Sequence, residues 1–218
     1  MEDPAADQGP GMRAASTTLE GLDSALCALA VAIEARDGHS PFHITRVAAG
    51  ALALGEAINL DESLMGQLKL GALLHDLGKL GVPEAILRKP GLLGAIELES
   101  MRRHPVMGEA IAALPHPGEP FLAAVRHHHE HYDGSGYPDN LVGEAIPLLA
   151  RIVAVSDAYD ALISDRPFRS ARSQGEAIAT LRWGAGTQWD RYLVEVFTDA
   201  VLPTGRLEAI SALLPFSL

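Results

Sequence analysis

The chain has 218 residues, 48% hydrophobic and 21% charged, which is the composition of an ordinary globular protein with one substantial core. Its net charge of −11 argues against a nucleic-acid polymer or an anionic membrane surface as partner, but leaves room for a small nucleotide in a local cationic pocket. The single cysteine, Cys27, excludes an internal disulfide and a cysteine-based zinc site. No apolar run reaches membrane-spanning length, and Glu2, Asp3 and Asp7 stand where a secretory signal would be basic, so a cytoplasmic protein is expected.

Residues 1–16, rich in Gly and Pro, read as a disordered tail, with no sensor domain expected ahead of the first helix. Thr17-Thr18-Leu19-Glu20 is a capping box opening a helix to about Arg36. Leu19, Leu22, Leu26, Leu29 and Ile33 form a narrow heptad seam on it, suited either to docking on the domain or to pairing in a homodimer. A catalytic domain over 37–202 and a docked C-terminal helix over 203–218 complete the division. The second helix is expected to start at Ser40-Pro41, cap then first-turn proline, and to run to about Ile58. Asn59-Leu60-Asp61 is a break and cap. Helices follow from Glu62 to His75-Asp76, over Ala95–His104 and Pro105–Leu114, and from Phe121 into a histidine cluster. A Gly- and Pro-rich loop spans 132–147. Further helices are expected over Ile146–Ser164, Ser173–Trp183, Asp190–Leu202 and Arg206–Leu214. No alternating strand appears, so the fold is predicted to be all-α.

Nine histidines are the compositional oddity. The apolar run Leu70, Leu73, Leu74 and Leu77 delivers His75 and Asp76 side by side at a helix end, where an uncompensated buried carboxylate would be costly. A divalent metal would compensate it, and imidazole beside carboxylate suits Fe, Mn or Zn better than Ca or Mg. Lys79, three residues beyond Asp76, falls near the same spot. Further candidate ligands sit at His43, His104, His128-His129 and Asp157, each group 24 to 32 residues after the last. Two helices and a turn need about that much chain to return to the same side of a bundle. Asp157 lies in an apolar helix and requires a partner, either a metal or an ion pair with Arg151 or Arg166. His127 and His131, four apart, form a rival pair that Asp133-Gly134 weakens by ending the helix. No His-Glu-x-x-His occurs, so a thermolysin-like site is not supported.

The segments His75-Asp76-Leu77-Gly78-Lys79, Arg103-His104-Pro105, His128-His129-Glu130 and Asp133-Gly134-Ser135-Gly136-Tyr137-Pro138 closely resemble the HD-GYP family of HD phosphohydrolases. So do Asp157-Ala158-Tyr159-Asp160-Ala161-Leu162, the stretch Ser164 to Arg169 and the stretch Gly186 to Asp190. The resemblance implies an HD-domain helical bundle with an HD-GYP loop. It implies a phosphodiesterase that opens cyclic di-GMP to pGpG or GMP at a centre of Fe or Mn ions. Carried onto this chain, it makes His43, His75, Asp76 and Asp157 ligands of one ion, with Asp76 bridging to a second held by His104, His128 and His129. It sets Lys79 on the scissile phosphate and Asp160, Arg166 and Arg169 on the guanine and phosphate edges. Glu130 is expected to fix the tautomer of a ligand imidazole, and Tyr137 to pack or donate in the loop.

This chain departs from the pattern where Phe42 replaces the usual Gly before the first ligand His, and where His39 occupies the Glu position of three-metal members. Because Ser40-Pro41 reads as a helix start, His39 would lie outside the helix, and two metals rather than three are expected. Two metals suit a phosphodiester, whose anion repels hydroxide and whose leaving alkoxide is poor. Rival readings are the same chemistry on another cyclic dinucleotide, such as cyclic GMP-AMP, or a non-catalytic receptor that keeps the fold.

Overall fold

The computed structural model describes residues 10–37, 42–115, 117–165 and 170–214, with side chains from Ser24 onward. Helix α1 (Pro10–Asp37) is followed by α2 (His43–Ala57) and α3 (Glu62–Leu74), and then by a tight 3₁₀ turn at Leu77–Gly81. Short helices α4 (Glu84–Leu87), α5 (Ala95–Arg102), α6 (His104–Ala112) and α7 (Phe121–His127) lead to a long loop. Beyond it come α8 (Leu148–Ile163), α9 (Gln174–Gly184), α10 (Arg191–Val196), which relaxes into a π turn at Phe197–Val201, and α11 (Arg206–Ser211). Among the described residues no strand forms, only isolated bridges at Asp133–Val142 and Ala185–Trp189, so the all-α expectation holds.

One apolar core runs from Cys27 in α1 to Leu214 beyond α11. Its centre is the α2–α3–α8 layer, where Val47, Ala51, Leu54, Leu68, Ala72, Ile152 and Val155 are fully buried. The alanines of α2 keep that helix thin, so α3 and α8 pack on it closely and bring their polar ends together. Ser173 and Asp61 cap α9 and α3, each side chain accepting the N–H three residues on.

Several helix limits differ from the sequence expectation. The capping box at Thr17 does not start a helix, because α1 already runs from Pro10 and residues 10–16 are helical rather than tail. Ile33 of the proposed dimer seam is buried in this chain's own core, with Leu26 and Leu29 packed partly buried beside it. That half of the seam therefore serves docking. The side chains of Leu19 and Leu22 lie outside the described residues. Helix α2 begins at His43, later than the Ser40-Pro41 signal, and Phe42 precedes it in the left-handed region at φ 66°. His39, Ser40, Pro41, His116, Arg166 and Arg169 lie outside the described residues.

Candidate metal centre

Three ligand candidates share one local device. His75 Nδ1 donates to the Ala72 carbonyl at 2.7 Å, His104 Nδ1 to Met101 at 2.8 Å and His128 Nδ1 to Val125 at 2.9 Å. Each carbonyl is three residues back, at the open C-terminal end of α3, α5 or α7, where main-chain acceptors lack intrahelical donors. His75 and His128 thus cap the helices that end at them, and His104, the first residue of α6, caps α5; the cap at His128 also explains why α7 stops at His127 instead of continuing to His131. With Nδ1 committed as donor, the Nε2 of each ring, once neutral, presents a lone pair inward.

Those lone pairs converge. One set of candidate ligand atoms comes from Asp76, His104, His128 and His129, and the other from His43, His75 and Asp157. Within each set the atoms lie within 4.8 Å of one another. His75 Nε2 lies 3.4 Å from Asp76 Oδ2, and the other oxygen, Oδ1, lies 3.2 Å from His104 Nε2, so Asp76 joins the two sets. His43 Nε2 stands 3.5 Å from Asp157 Oδ1. The seven residues that the spacing and the resemblance nominated are therefore brought to one place, from α2, α3, α6, α7 and α8 and the turns at their ends.

The donor set fits metal ions on two observations. His75 Nε2 is buried, and among the described residues it makes no well-formed hydrogen bond, its approach to Asp76 Oδ2 being 3.4 Å. His104 Nε2 and His128 Nε2 face each other at 3.3 Å although both rings already donate through Nδ1. Two opposed lone pairs repel, and a cation between them removes the conflict.

The electrostatics agree. Burial, with His129, His75 and His104 crowded around it, holds the His128 imidazole well below its ordinary pKa. Burial and the neighbouring His104 depress His129 to about 3. Both rings are thus neutral, the form that ligates. Burial opposes ionisation of Asp76, but Lys79 and His75 outweigh it and keep the carboxyl well below the usual range. Burial likewise opposes protonation of His75, yet Asp76 and Asp157 lift it to about 9. Asp157 is held low against burial by His43 and His75.

Lys79 is buried in the 3₁₀ turn, its Nζ 2.8 Å from Asp76 Oδ2 and 2.6 Å from Asp37 Oδ2. Gly78 makes that turn possible: a Cβ there would stand 1.8 Å from the His104 carbonyl oxygen, so α6 can cross only over a glycine. Gly136 acts similarly in the long loop, where a Cβ would lie 2.1 Å from His131 N. That loop is pinned by Tyr132 N donating to Gln188 O at 3.2 Å and Asp133 N donating to Thr187 O at 2.8 Å. Tyr137 stacks on His129 with centroids 5.0 Å apart, and the Arg102 guanidinium lies over its ring. A cavity of about 340 Å³ opens beside His129 and Asp157, walled by Ala154, Ala158, Thr180 and Trp189, large enough for part of a nucleotide.

Two expected roles change. Asp160, assigned by resemblance to the substrate, is buried and accepts from His43 Nδ1 at 2.7 Å and from Arg46 Nε at 2.5 Å. It orients a ligand imidazole from behind and offers no free edge to a substrate. Glu130 does not reach a ligand ring; it accepts from Asp139 N at 2.7 Å and Leu141 N at 3.1 Å and so holds the loop. His127 pairs with Asp139 at 2.9 Å, and His131 with Ser135 at 2.9 Å, so the rival histidine pair does not form. Arg151 takes Asp190 at 2.5 Å and so is not the partner of Asp157, while Arg166, the other candidate, lies outside the described residues. Sequence reasoning missed Arg46 and Asp37. Arg46 was signalled by lying three residues after His43 on α2, just as Asp160 lies three after Asp157 on α8, so two matched pairs meet across the helix crossing.

Comparison with known proteins places the chain in a family. The HD domain profile matches residues 27–193. The cyclic di-GMP phosphodiesterase response regulator RpfG of Xanthomonas campestris is 43% identical over 175 residues, covering 78% of this chain and 46% of RpfG. The 3'3'-cGAMP-specific phosphodiesterase 2 of Vibrio cholerae is 35% identical over 176 residues, covering 78% of this chain and 33% of that protein. The chain thus spans less than half the length of these curated relatives. A crystal structure of the V. cholerae cyclic GMP-AMP phosphodiesterase V-cGAP3 superposes with a TM-score of 0.67 at 20% identity, over 87% of this chain and 50% of that one, a likeness of fold. No helix among the described residues is long and apolar enough to cross a membrane. On its matched length, its relatives and its metal-competent His/Asp cluster, the chain belongs to the HD domain family, in the HD-GYP branch.

Proposed function

We propose that this chain is a metal-dependent phosphodiesterase that hydrolyses a cyclic dinucleotide, with cyclic di-GMP as the first candidate. The observation that carries the reading is the pair of ligand sets joined by Asp76, with Lys79 against the same carboxylate. His43, His75, Asp76 and Asp157 would hold one ion and Asp76, His104, His128 and His129 the other, with Fe or Mn suited to this mixture of imidazole and carboxylate. Two such ions, when bound, would supply an activated water and charge stabilisation for in-line displacement at phosphorus.

The protein's own groups do the rest. The backbone-anchored histidines keep their lone pairs in place without rearrangement, and Asp160 keeps Nε2 of His43 aimed inward. Lys79 offers its ammonium to a non-bridging phosphate oxygen, where charge builds in the transition state. The cavity beside His129 and Asp157 takes a base or sugar, and Arg166 and Arg169 remain candidates for its phosphate and guanine edges. The relatives named for 3'3'-cGAMP favour a second reading, in which the substrate carries one adenine.

The deciding experiment is turnover of cyclic di-GMP and of 3'3'-cGAMP by the metal-reconstituted protein, with products separated as linear dinucleotide or mononucleotide. Asp76→Ala is expected to abolish turnover and lower metal content, because it removes the carboxylate shared by both sets. Retention of both ions at a near-normal rate would refute the site.

A further inference from the structure

The last turn of α1 grips the turn that carries Lys79. Arg36 Nη2 donates to the carbonyls of Lys79 at 2.9 Å and Val82 at 2.7 Å, and Arg88 Nε closes on the Arg36 carbonyl at 2.8 Å. Glu34 Oε1 accepts from Ile44 N at 3.1 Å, tying the same turn to the start of the helix that bears His43. Asp37, the final residue of α1, then places Oδ2 2.6 Å from Lys79 Nζ. Its side chain is 6% exposed. Among the described residues Asp37 belongs to neither ligand set.

We propose that Asp37 is a positioning residue for Lys79, holding the ammonium where the proposed reaction needs it; the inference rests on the reading of Lys79 given above. Lys79 has two carboxylates within hydrogen-bond reach, and they are not equivalent. Asp76 lies in a metal-competent ligand set, so its charge is drawn toward cations that also repel the ammonium. Asp37 is the counter-charge that stays with the lysine. A lysine head on a flexible four-carbon stem, left without that anchor, would swing away from the ions. Because Asp37 and Arg36 are neighbours, the head and backbone of Lys79 are fixed by one helix end. Any shift of α1 would move both together.

A double-mutant cycle with Asp37→Asn, Lys79→Ala and the double variant tests this on the metal-reconstituted protein. Asp37→Asn is expected to lower kcat by about tenfold or more, since misplacement on the order of 1 Å can cost about 10²-fold. Metal content should be unchanged, and Asp37→Glu, which keeps the charge, should recover most of the loss. Lys79→Ala should lower kcat further, and adding Asp37→Asn to it should change nothing more. In chelated protein the Tm losses of the two single variants should likewise fail to add. Loss of metal in Asp37→Asn, or full additivity in kcat, would overturn the inference alone. Undiminished turnover in Lys79→Ala would overturn the role of Lys79 and this inference with it.

Discussion

His75 shows how the site negotiates between protons and metal. In the metal-free protein its imidazole stays protonated up to about pH 9, because Asp76 and Asp157 outweigh the burial that would otherwise neutralise it. A metal takes only the neutral ring, so below that pH each ion bound at His75 displaces a proton. His128 and His129, already neutral, release none. Metal affinity is therefore expected to rise from weakly acidic pH up to about 9, with about one proton released on loading this set near neutrality. Calorimetric titration of metal-stripped protein in buffers of different ionisation heat measures that proton directly. An affinity that falls with rising pH would contradict it.

At the scale of elements, the candidate ligand cluster was legible in the sequence and the elements presenting it were only partly so. Regular spacing found His43, His75, Asp76, His104, His128, His129 and Asp157 because consecutive returns of a helical bundle leave a repeat in the numbering. It could not show that three of the histidines cap helix ends, since that depends on main-chain carbonyls carrying no sequence signature. Nor could it separate Asp160 from the substrate side, because its partners, His43 and Arg46, are more than 110 residues away and meet it only at a helix crossing. The start of α2 was misread because Ser40-Pro41 is a strong local cap signal, yet the helix begins after Phe42, whose left-handed backbone turns the chain into His43. That conformation costs a residue with a Cβ about 1–2 kcal/mol. Glycine's extra freedom in the unfolded chain offsets about 0.4–1 kcal/mol of any gain. Phe42→Gly is therefore expected to be neutral or to stabilise by up to about 1.5 kcal/mol, with metal content retained. Urea midpoints with and without the change measure it, and a loss of stability beyond about 1 kcal/mol would show that Phe42 has packing worth more than its strain.

For the whole molecule, the candidate ligands draw on five helices and the turns between them, so metal occupancy and folding are linked. An ion present at 100 times its Kd stabilises the folded state by about 2.7 kcal/mol. At this chain length each kcal/mol moves Tm by about 2–4 °C. Chelation is thus expected to lower Tm by several degrees, reversibly on returning the metal, whereas Asp76→Ala protein should show little response to either. Scanning calorimetry before and after chelation reads this. A Tm unmoved by chelation would mean that the helices hold together without the ions.

The manner in which the imidazoles are anchored also bears on how such a domain can drift. The acceptors behind His75, His104 and His128 are main-chain atoms of residues 72, 101 and 125, present whatever side chain those positions carry. No ordinary point mutation at an acceptor deletes them. His43 depends instead on the carboxylate of Asp160, which one codon change removes. Of these four imidazoles, His43 is therefore the one whose anchor a single side-chain substitution removes. A descendant that no longer needed the proposed activity would be expected to lose that anchor first, while the backbone-held histidines kept their orientation.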